Sequence, residues 1–243
     1  MSKDGFEKGV FWELFKDLES QFQRFLEYVP YFDENKNVRS FKLLNLILSI
    51  GGYVDSAFKE MARYPDFSED DNCREILQKL EMSEENIKEG KAPITVPIWL
   101  SLMAFENIYK LSEKQVIFKR IPQRKTIIPF KPHNLETNEP KWWGIYNGLK
   151  HDLKVNISEA NLQNTLHALA SAFLLNAVHR PSALRLFSYR VLRVQYTAAD
   201  SFNTMSPTKS NMKVVRDWLK TEKGVRGGIV ETPLFIYYFE NKK

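Results

Sequence analysis

The chain has 243 residues, 43% of them hydrophobic, with 17 Phe, 10 Tyr and 5 Trp and a net charge of +5. This composition fills a sizeable core and excludes an intrinsically disordered chain, while the single cysteine, Cys73, excludes an internal disulfide. The sequence opens without a charged and then apolar leader, and its apolar runs fall short of the roughly 20 residues of a membrane-spanning helix. We therefore expect a cytoplasmic protein without a membrane span.

The charge is distributed unevenly along the chain. Residues 1–109 hold 13 Lys and Arg against 20 Asp and Glu, whereas residues 110–154 hold 10 against 4 and residues 180–226 hold 10 against 3. Clustered Lys and Arg raise the local positive potential and attract polyanions such as RNA. A solvated surface, or an acidic half that packs on a basic half within the fold or across a dimer, is the alternative explanation.

Apolar residues recur at spacings of three and four in the first two segments of the chain, which is typical of amphipathic helices. Pro30 and the polar residues after it separate these two helices, and Ser40 is the predicted N-cap of the second. Gly51 and Gly52 lie inside that helix at a cost of roughly 1 kcal/mol each, and they predict a kink or the close approach of a neighbouring element. The helices predicted in this half of the chain cover residues 6–29, 40–63, 73–88 and 97–111.

The second half of the chain begins with residues 115–131, whose prolines favour extended or loop structure. Pro140 suits the first turn of the next helix, and a helix rich in Ala and Leu is predicted from Ser158 to Val178. After Pro181, alternating apolar and polar residues predict two strands with a short helix between them. These three elements are predicted at residues 184–197, 212–220 and 228–240.

These elements predict a mainly α fold with two parts. Residues 1–181 are expected to form a helical bundle, and residues 182–243 a small α+β extension that packs on it. The segment between Trp142 and Asp152 then lies inside the bundle, on the helix that Pro140 begins. This segment is the predicted functional centre of the chain.

One helix over residues 141–154 would present three different faces. The face predicted to be buried comprises Trp142, Tyr146, Leu149 and Leu153. The adjoining face, which we expect to address a ligand, comprises Trp143, Asn147, Lys150, His151 and Lys154. Gly144 and Gly148, one turn apart, form a third strip that another backbone could approach.

The ligand face carries the side chains that a metal-independent phosphodiester cleavage site needs. A histidine exchanges a proton near neutral pH, an amide positions a phosphate or a water, and a lysine balances phosphate charge. His151, Asn147 and Lys150 are therefore the candidate catalytic residues, and Lys154 is a candidate RNA ligand. A hydrogen-bonded structural role is the alternative for His151.

The pattern Trp142-Trp143-x-x-Tyr146-Asn147-x-Leu149-Lys150-His151 follows two long amphipathic helices and precedes a helix rich in Ala and Leu. It resembles the HEPN superfamily, and more closely a group of bacterial and archaeal proteins with a similar signature, over roughly residues 6–179. The resemblance implies a helical bundle that dimerises and, in many members, an RNase of a toxin–antitoxin, phage-defence or RNA-processing system. The HEPN motif is an Arg, commonly followed by Asn or another polar residue, then three to five further residues and a His. Asn147 and His151 match the polar residue and the His, and Tyr146 stands where the Arg would be.

The C-terminal part offers a second set of RNA-binding candidates, in which Arg185, Arg190 and Arg193 are interleaved with aromatic residues. The alternative is an exposed strand whose charges prevent edge pairing. His179, at a helix end, is expected to complement the helix dipole as a cation. The Cys and His spacings do not resemble a metal site, and we expect neither metal nor cofactor.

Two functional hypotheses follow. The first is an RNA-directed, HEPN-like protein that acts as a metal-independent ribonuclease of a toxin or defence system. The second is a non-catalytic RNA- or protein-binding scaffold that dimerises through the glycine-lined helix. Under both hypotheses the expected partners are a second copy of the chain, RNA, and an antitoxin or another protein.

Overall fold

A computed structural model describes residues 9–64, 69–119, 124–134, 139–179, 182–196, 212–213, 215 and 225–240. Over these residues the chain is mainly helical, with eight α-helices and a small antiparallel sheet. None of these helices is both long and apolar enough to cross a membrane. The prediction of a mainly α chain with a small β-containing part is confirmed at the level of secondary structure.

The observed helices include those predicted at residues 6–29, 40–63, 73–88, 97–111 and 158–178. The α-helices are α1 (Val10–Leu26), α2 (Phe41–Ala62), α3 (Asp71–Lys88), α4 (Ile98–Tyr109), α5 (Lys141–His151), α6 (Leu153–Asn156), α7 (Leu162–Val178) and α8 (Ala183–Ser188). Short 3-10 helices cover Leu111–Glu113 and Ile157–Glu159. The strands are β1 (Val116–Phe118), β2 (Lys125–Ile127), β3 (Pro132–Asn134), β4 (Glu139–Pro140), β5 (Leu192–Tyr196), β6 (Val225–Glu231) and β7 (Phe235–Glu240).

The chain divides into two compact units. The sheet unit comprises residues 1–32, 115–127 and 173–243, and the helical unit comprises residues 33–114 and 128–172. This division does not follow the boundary predicted at residue 181. The reason is that β1 hydrogen-bonds to β7, so a strand from the middle of the chain joins the strand at its C-terminal end, and α1 belongs with them.

The sheet unit is built on an antiparallel sheet of five strands in the order β2-β1-β7-β6-β5, with β7 at the centre. One face of the sheet is packed with aromatic side chains. The ring centroids of Phe15 on α1 and Phe173 on α7 lie 5.9 Å apart, and Phe173 lies 5.3 Å from Phe235 on β7. The ring centroid of Phe235 also lies 5.9 Å from that of Phe118 on β1. Residues distant in the sequence thus form one apolar core on this face.

A buried carboxylate joins α1 to the turn between β6 and β7. Glu19 accepts hydrogen bonds from the Thr232 hydroxyl at 2.5 Å and from the backbone N–H of Leu234 at 3.1 Å. Burial raises the pKa of Glu19, while the two hydrogen bonds and Lys119 oppose that rise. The Thr232 hydroxyl also accepts a hydrogen bond from the backbone N–H of Phe235 at 3.0 Å. The Glu19 and Thr232 side chains therefore together fix the turn between β6 and β7.

Two helices of the helical unit begin at a side chain that caps them, and the first of these caps was predicted. The Ser40 hydroxyl accepts from the backbone N–H of Leu43 at 3.1 Å, which confirms Ser40 as the N-cap of α2. Asp70 caps α3 by accepting from the backbone N–H of Cys73 at 2.9 Å. The other Asp70 oxygen accepts from the Asn107 side chain at 3.3 Å, which ties α3 to α4.

The Cys73 thiol should not react with a thiol reagent while the protein is folded. The side chain is fully buried, and burial together with neighbouring Asp70 raises its pKa to about 12, so thiolate is scarce at mildly alkaline pH. We expect Ellman's reagent to label Cys73 at the rate of unfolding, in step with the loss of far-UV circular dichroism. Rapid labelling of the folded protein would contradict this placement.

The strand predicted at residues 184–197 is wrong in its first half. Residues 183–188 form α8, and the strand β5 begins only at Leu192. The buried residues of this segment, Ala183, Leu186 and Phe187, have the three- and four-residue spacing of a helix face rather than strand alternation. Of the helix predicted at 212–220, Met212, Lys213 and Val215 are helical and the other residues lie outside the described part of the chain.

Candidate functional site

Helix α5 carries the predicted site and is anchored at its first turn. Pro140 is the N-cap residue, which confirms the predicted start of the helix. The indole N–H of Trp142 donates to the carbonyl of Pro129 at 2.9 Å, and its ring meets Phe130 edge-on at 6.2 Å. Ser171 donates to the same Pro129 carbonyl at 3.3 Å. The helix therefore has a fixed position within the helical unit.

Tyr146 is a core residue, as predicted from the helical stripe. It is 8% exposed, and its ring lies directly over the backbone of Gly51 on α2. A Cβ atom added at Gly51 would lie 2.2 Å from Cδ2 of Tyr146, so only glycine leaves room for the ring. The close approach predicted for the glycine pair is thus confirmed at Gly51.

The placement of Trp143 on the ligand face is wrong. Trp143 is buried, with its ring centroid 5.4 Å from that of Trp142 and 4.8 Å from that of Tyr146. Burial of both tryptophans and of Ile145 widens the apolar side of α5 beyond the narrow stripe predicted. Trp143 and Ile145 extend the buried arc on both sides of the predicted stripe, and only the packing of neighbouring elements reveals this.

The single helix predicted for residues 141–154 is also wrong at its end. Helix α5 ends at His151, Asp152 has a non-helical backbone, and its carboxylate accepts from the backbone N–H of Val155 at 3.2 Å to begin α6. Leu153, predicted to be buried, is 45% exposed. The break rotates residues after 152 away from the faces expected for one continuous helix.

Asn156 closes the end of α5. Its side-chain amide donates to the carbonyls of Gly148 at 3.1 Å and of Asp152 at 2.8 Å. A Cβ atom added at Gly148 would lie 2.8 Å from Cγ of Asn156, so this glycine is covered, while Gly144 has open space beside it. The predicted glycine strip is therefore open to another backbone only at Gly144. Asn156 was not predicted, because its partners lie four and eight residues earlier and only the break at Asp152 brings them within reach.

The four site residues on α5 and α6 differ in exposure. Asn147 is half-buried, while Lys150, His151 and Lys154 are exposed. Asn147 and His151 remain one helical turn apart on α5, so the structure keeps this predicted pair together. Lys150 and His151 occupy the last turn, where a helix dipole favours cations, and this gives both a structural role as well. The Asn156 amide satisfies two carbonyls at that end and so reduces its negative character.

The three candidate arginines belong to the sheet unit, whereas Lys154 belongs to the helical unit. Arg185 is half-buried and its side chain lies against Gly9, at 3.2 Å from an added Cβ atom. Arg190 is exposed and has a left-handed backbone with φ of 60°. Arg193 forms an ion pair with Glu231 on the neighbouring strand. The three arginines, which lie within nine positions of one another in the sequence, therefore do not share one environment.

The prediction that His179 complements a helix dipole as a cation is wrong. The ring is completely buried, and burial lowers its pKa to about 3, so the imidazole is neutral at physiological pH. Its Nδ1 lies 2.8 Å from the Ser182 hydroxyl. Within the described ranges, no three His, Cys, Asp or Glu side chains are grouped so that they could hold a metal ion.

Comparisons of the chain with protein-family models, curated proteins and solved structures found no significant match.

Proposed function

We propose that this chain is an HEPN-like RNA-binding protein that contacts the phosphate backbone through the end of α5 and through α6. The observation that carries the proposal is the exposure of Lys150 and His151 at the end of α5, whose opposite side is fixed in the core, and of Lys154 on α6, which follows directly after the break at Asp152. Because the helix backbone is already ordered, only the lysine side chains lose conformational freedom when they bind a phosphate.

The two lysines are available to a ligand. In the portion of the chain that is described, neither Lys150 nor Lys154 forms an ion pair or a side-chain hydrogen bond. Asn147 adds a half-buried amide on the same helix, which can donate to a phosphate oxygen or a ribose hydroxyl. These groups supply binding that depends on charge and backbone rather than on base sequence.

Binding is favoured over cleavage by the environment of Tyr146. The position that corresponds to the HEPN Arg holds a phenol packed against Gly51, so no guanidinium is delivered beside Asn147 and His151 from that position. A lysine ammonium nearby does not replace the two parallel hydrogen bonds that a guanidinium gives to a phosphate. Transition-state stabilisation of a phosphodiester cleavage would therefore lack its usual donor.

A metal-independent ribonuclease is the second candidate, and one observation favours it. The exposed imidazole of His151 lies one turn from the Asn147 amide, so a general acid or base and a phosphate donor share one helix face. In this mechanism His151 moves the proton, Asn147 orients the phosphate and Lys150 balances its charge.

The binding proposal is tested by reversing the charge of the two lysines. We expect Lys150→Glu/Lys154→Glu to weaken the binding of a labelled single-stranded RNA on the order of tenfold, measured by fluorescence anisotropy. The salt dependence of log K should become shallower by about 1.4, since each lost phosphate contact on a single strand removes ~0.7. The matched control is Lys42→Glu/Lys88→Glu, two exposed lysines elsewhere in the helical unit. Equal losses in both variants would contradict the proposal.

The same preparations decide between binding and cleavage. RNA incubated with the wild-type protein in EDTA should stay intact if the site only binds. Cleavage that disappears in His151→Ala, with RNA affinity retained, would establish the ribonuclease instead.

A further inference from the structure

The face of the five-stranded sheet opposite the aromatic core carries a row of side chains that no role yet explains. The register pairs Arg193 on β5 with Ile229 on β6, and Ile229 with Tyr238 on β7. Paired residues of neighbouring strands project from the same face of a sheet. Arg193 and Tyr238 therefore lie on one face, two strand spacings or roughly 10 Å apart.

Tyr238 is an exposed aromatic residue on the central strand of the sheet. It is 47% exposed, whereas its neighbour Tyr237, which projects from the core face, is 5% exposed. Burial raises the pKa of Tyr237 to about 12, as expected for a phenol in an apolar core. A tyrosine left open in the middle of a sheet presents a flat ring to a ligand instead of contributing to the core.

Around Glu231, on this face, positive charge exceeds negative charge. Glu231 on β6 receives an ion pair from Lys119, at 2.7 Å, and a second from Arg193. The hydrogen bond from Lys119 is the main cause that lowers the pKa of Glu231, and the charges of Lys119, Arg193 and exposed Arg124 add to it. Three cations thus surround one carboxylate, and the surplus is available to an anion.

We propose that this face, defined by Tyr238, Arg193, Lys119 and Arg124, binds single-stranded nucleic acid by stacking a base on Tyr238 and contacting phosphates with the cations. The inference extends the proposed RNA binding to residues outside α5 and α6. A nucleic acid offers both a base, which can stack on the exposed ring, and a phosphate, which can bind the surplus cations. A polyanion without bases would bind only the cations. Glu231 pairs with both Arg193 and Lys119, and Lys119 also donates to the carbonyl of Thr232 at 3.0 Å, so a phosphate binds here by competing with Glu231 for these cations.

The test measures binding of a fluorescein-labelled oligouridylate of about 12 nucleotides, a length within the site size of stacking surfaces. We expect Tyr238→Ala to weaken binding roughly tenfold and Tyr238→Phe to bind as tightly as the wild type, because a phenyl ring also stacks. The matched control is Tyr28→Ala, since Tyr28 is a tyrosine of the sheet unit that is 84% exposed. It should leave affinity unchanged.

Two further arms separate the outcomes. Inorganic polyphosphate should bind wild type and Tyr238→Ala equally, and an oligothymidylate arm shows whether the face prefers RNA to DNA. If Tyr238→Ala binds oligouridylate like Tyr28→Ala, the inference is overturned, even when Lys150→Glu/Lys154→Glu still weakens binding and the proposed function stands. Loss in Tyr238→Ala with no loss in the lysine variant supports the inference and removes the α5 surface from the function.

Discussion

Gly51→Ala is expected to destabilise the protein by about 2–3 kcal/mol, measured as the free energy of unfolding in urea. The added methyl group would lie 2.2 Å from Cδ2 and 2.4 Å from Cγ of Tyr146, far inside van der Waals contact. The Tyr146 ring is buried and packed on Trp143, so it has little room to move away. Either α2 shifts away from α5 or the ring leaves its position, and both disturb the core of the helical unit.

The neighbouring glycine is a control with the opposite sign. Gly52 also lies inside α2, but a Cβ atom added there has no atom within 4 Å. Gly52→Ala should therefore stabilise the protein by roughly 0.5–1 kcal/mol, the ordinary gain of alanine over glycine in a helix. Equal effects at both positions would show that Tyr146 does not lie over Gly51.

A double-mutant cycle then assigns the effect to Tyr146. Tyr146→Ala removes the obstructing ring, and we expect Gly51→Ala to cost about 2 kcal/mol less in that background than alone. A coupling energy near zero would place the strain elsewhere in α2.

Glu19→Ala is expected to destabilise the protein by about 2 kcal/mol. The substitution leaves the Thr232 hydroxyl and the Leu234 N–H without the acceptor that α1 provides, in a buried site. Glu19→Gln keeps one oxygen as acceptor and should retain most of the stability. Glu13→Ala, on the exposed side of the same helix, should change it by less than about 0.5 kcal/mol.

The buried Glu19 side chain should also make the stability of the protein depend on pH. Burial raises the folded-state pKa of Glu19 above the ordinary value of 4.5, so near that pH the folded protein holds a proton that the unfolded chain has released. This contribution therefore stabilises the fold at low pH and is lost as the pH rises through the folded-state pKa. Glu19→Gln should remove this fall between pH 4.5 and the raised pKa, when wild type and variant are unfolded in urea at each pH. An unchanged slope would contradict the raised pKa.

Much of the helical architecture was predictable because its signals are local. The apolar spacing of α1 and α2, the Ser40 cap and Pro140 at the start of α5 each depend on residues within a few positions of one another. Gly51 was recognised as a place of close approach, but its partner Tyr146 lies 95 positions later in the chain and no periodicity links them. The sequence around Gly51 therefore predicts that another element approaches α2 there, but it does not predict which side chain does so.

The errors arose where tertiary contacts decide between similar patterns. The pattern of apolar residues at 183–188 is compatible with a strand or with a helix. The structure forms a helix, in which Leu186 and Phe187 are both buried. Trp143 fits either face of a short helix until neighbouring aromatic rings cover it. The row of Arg193 and Tyr238 could not be predicted, since it exists only after three strands pair in register.

The sheet unit contains segments that are far apart in the sequence, and this limits when it can fold during synthesis. Helix α1 is translated well before β6 and β7, whose turn Glu19 holds. Until then the apolar side of α1, with Phe15 and Phe22, lacks the strands that complete its unit. The contact between α1 and the β6–β7 turn closes a long loop, which costs conformational entropy and slows folding. Until β6 and β7 have been translated, α1 therefore exposes apolar side chains, and transiently exposed apolar surface favours aggregation.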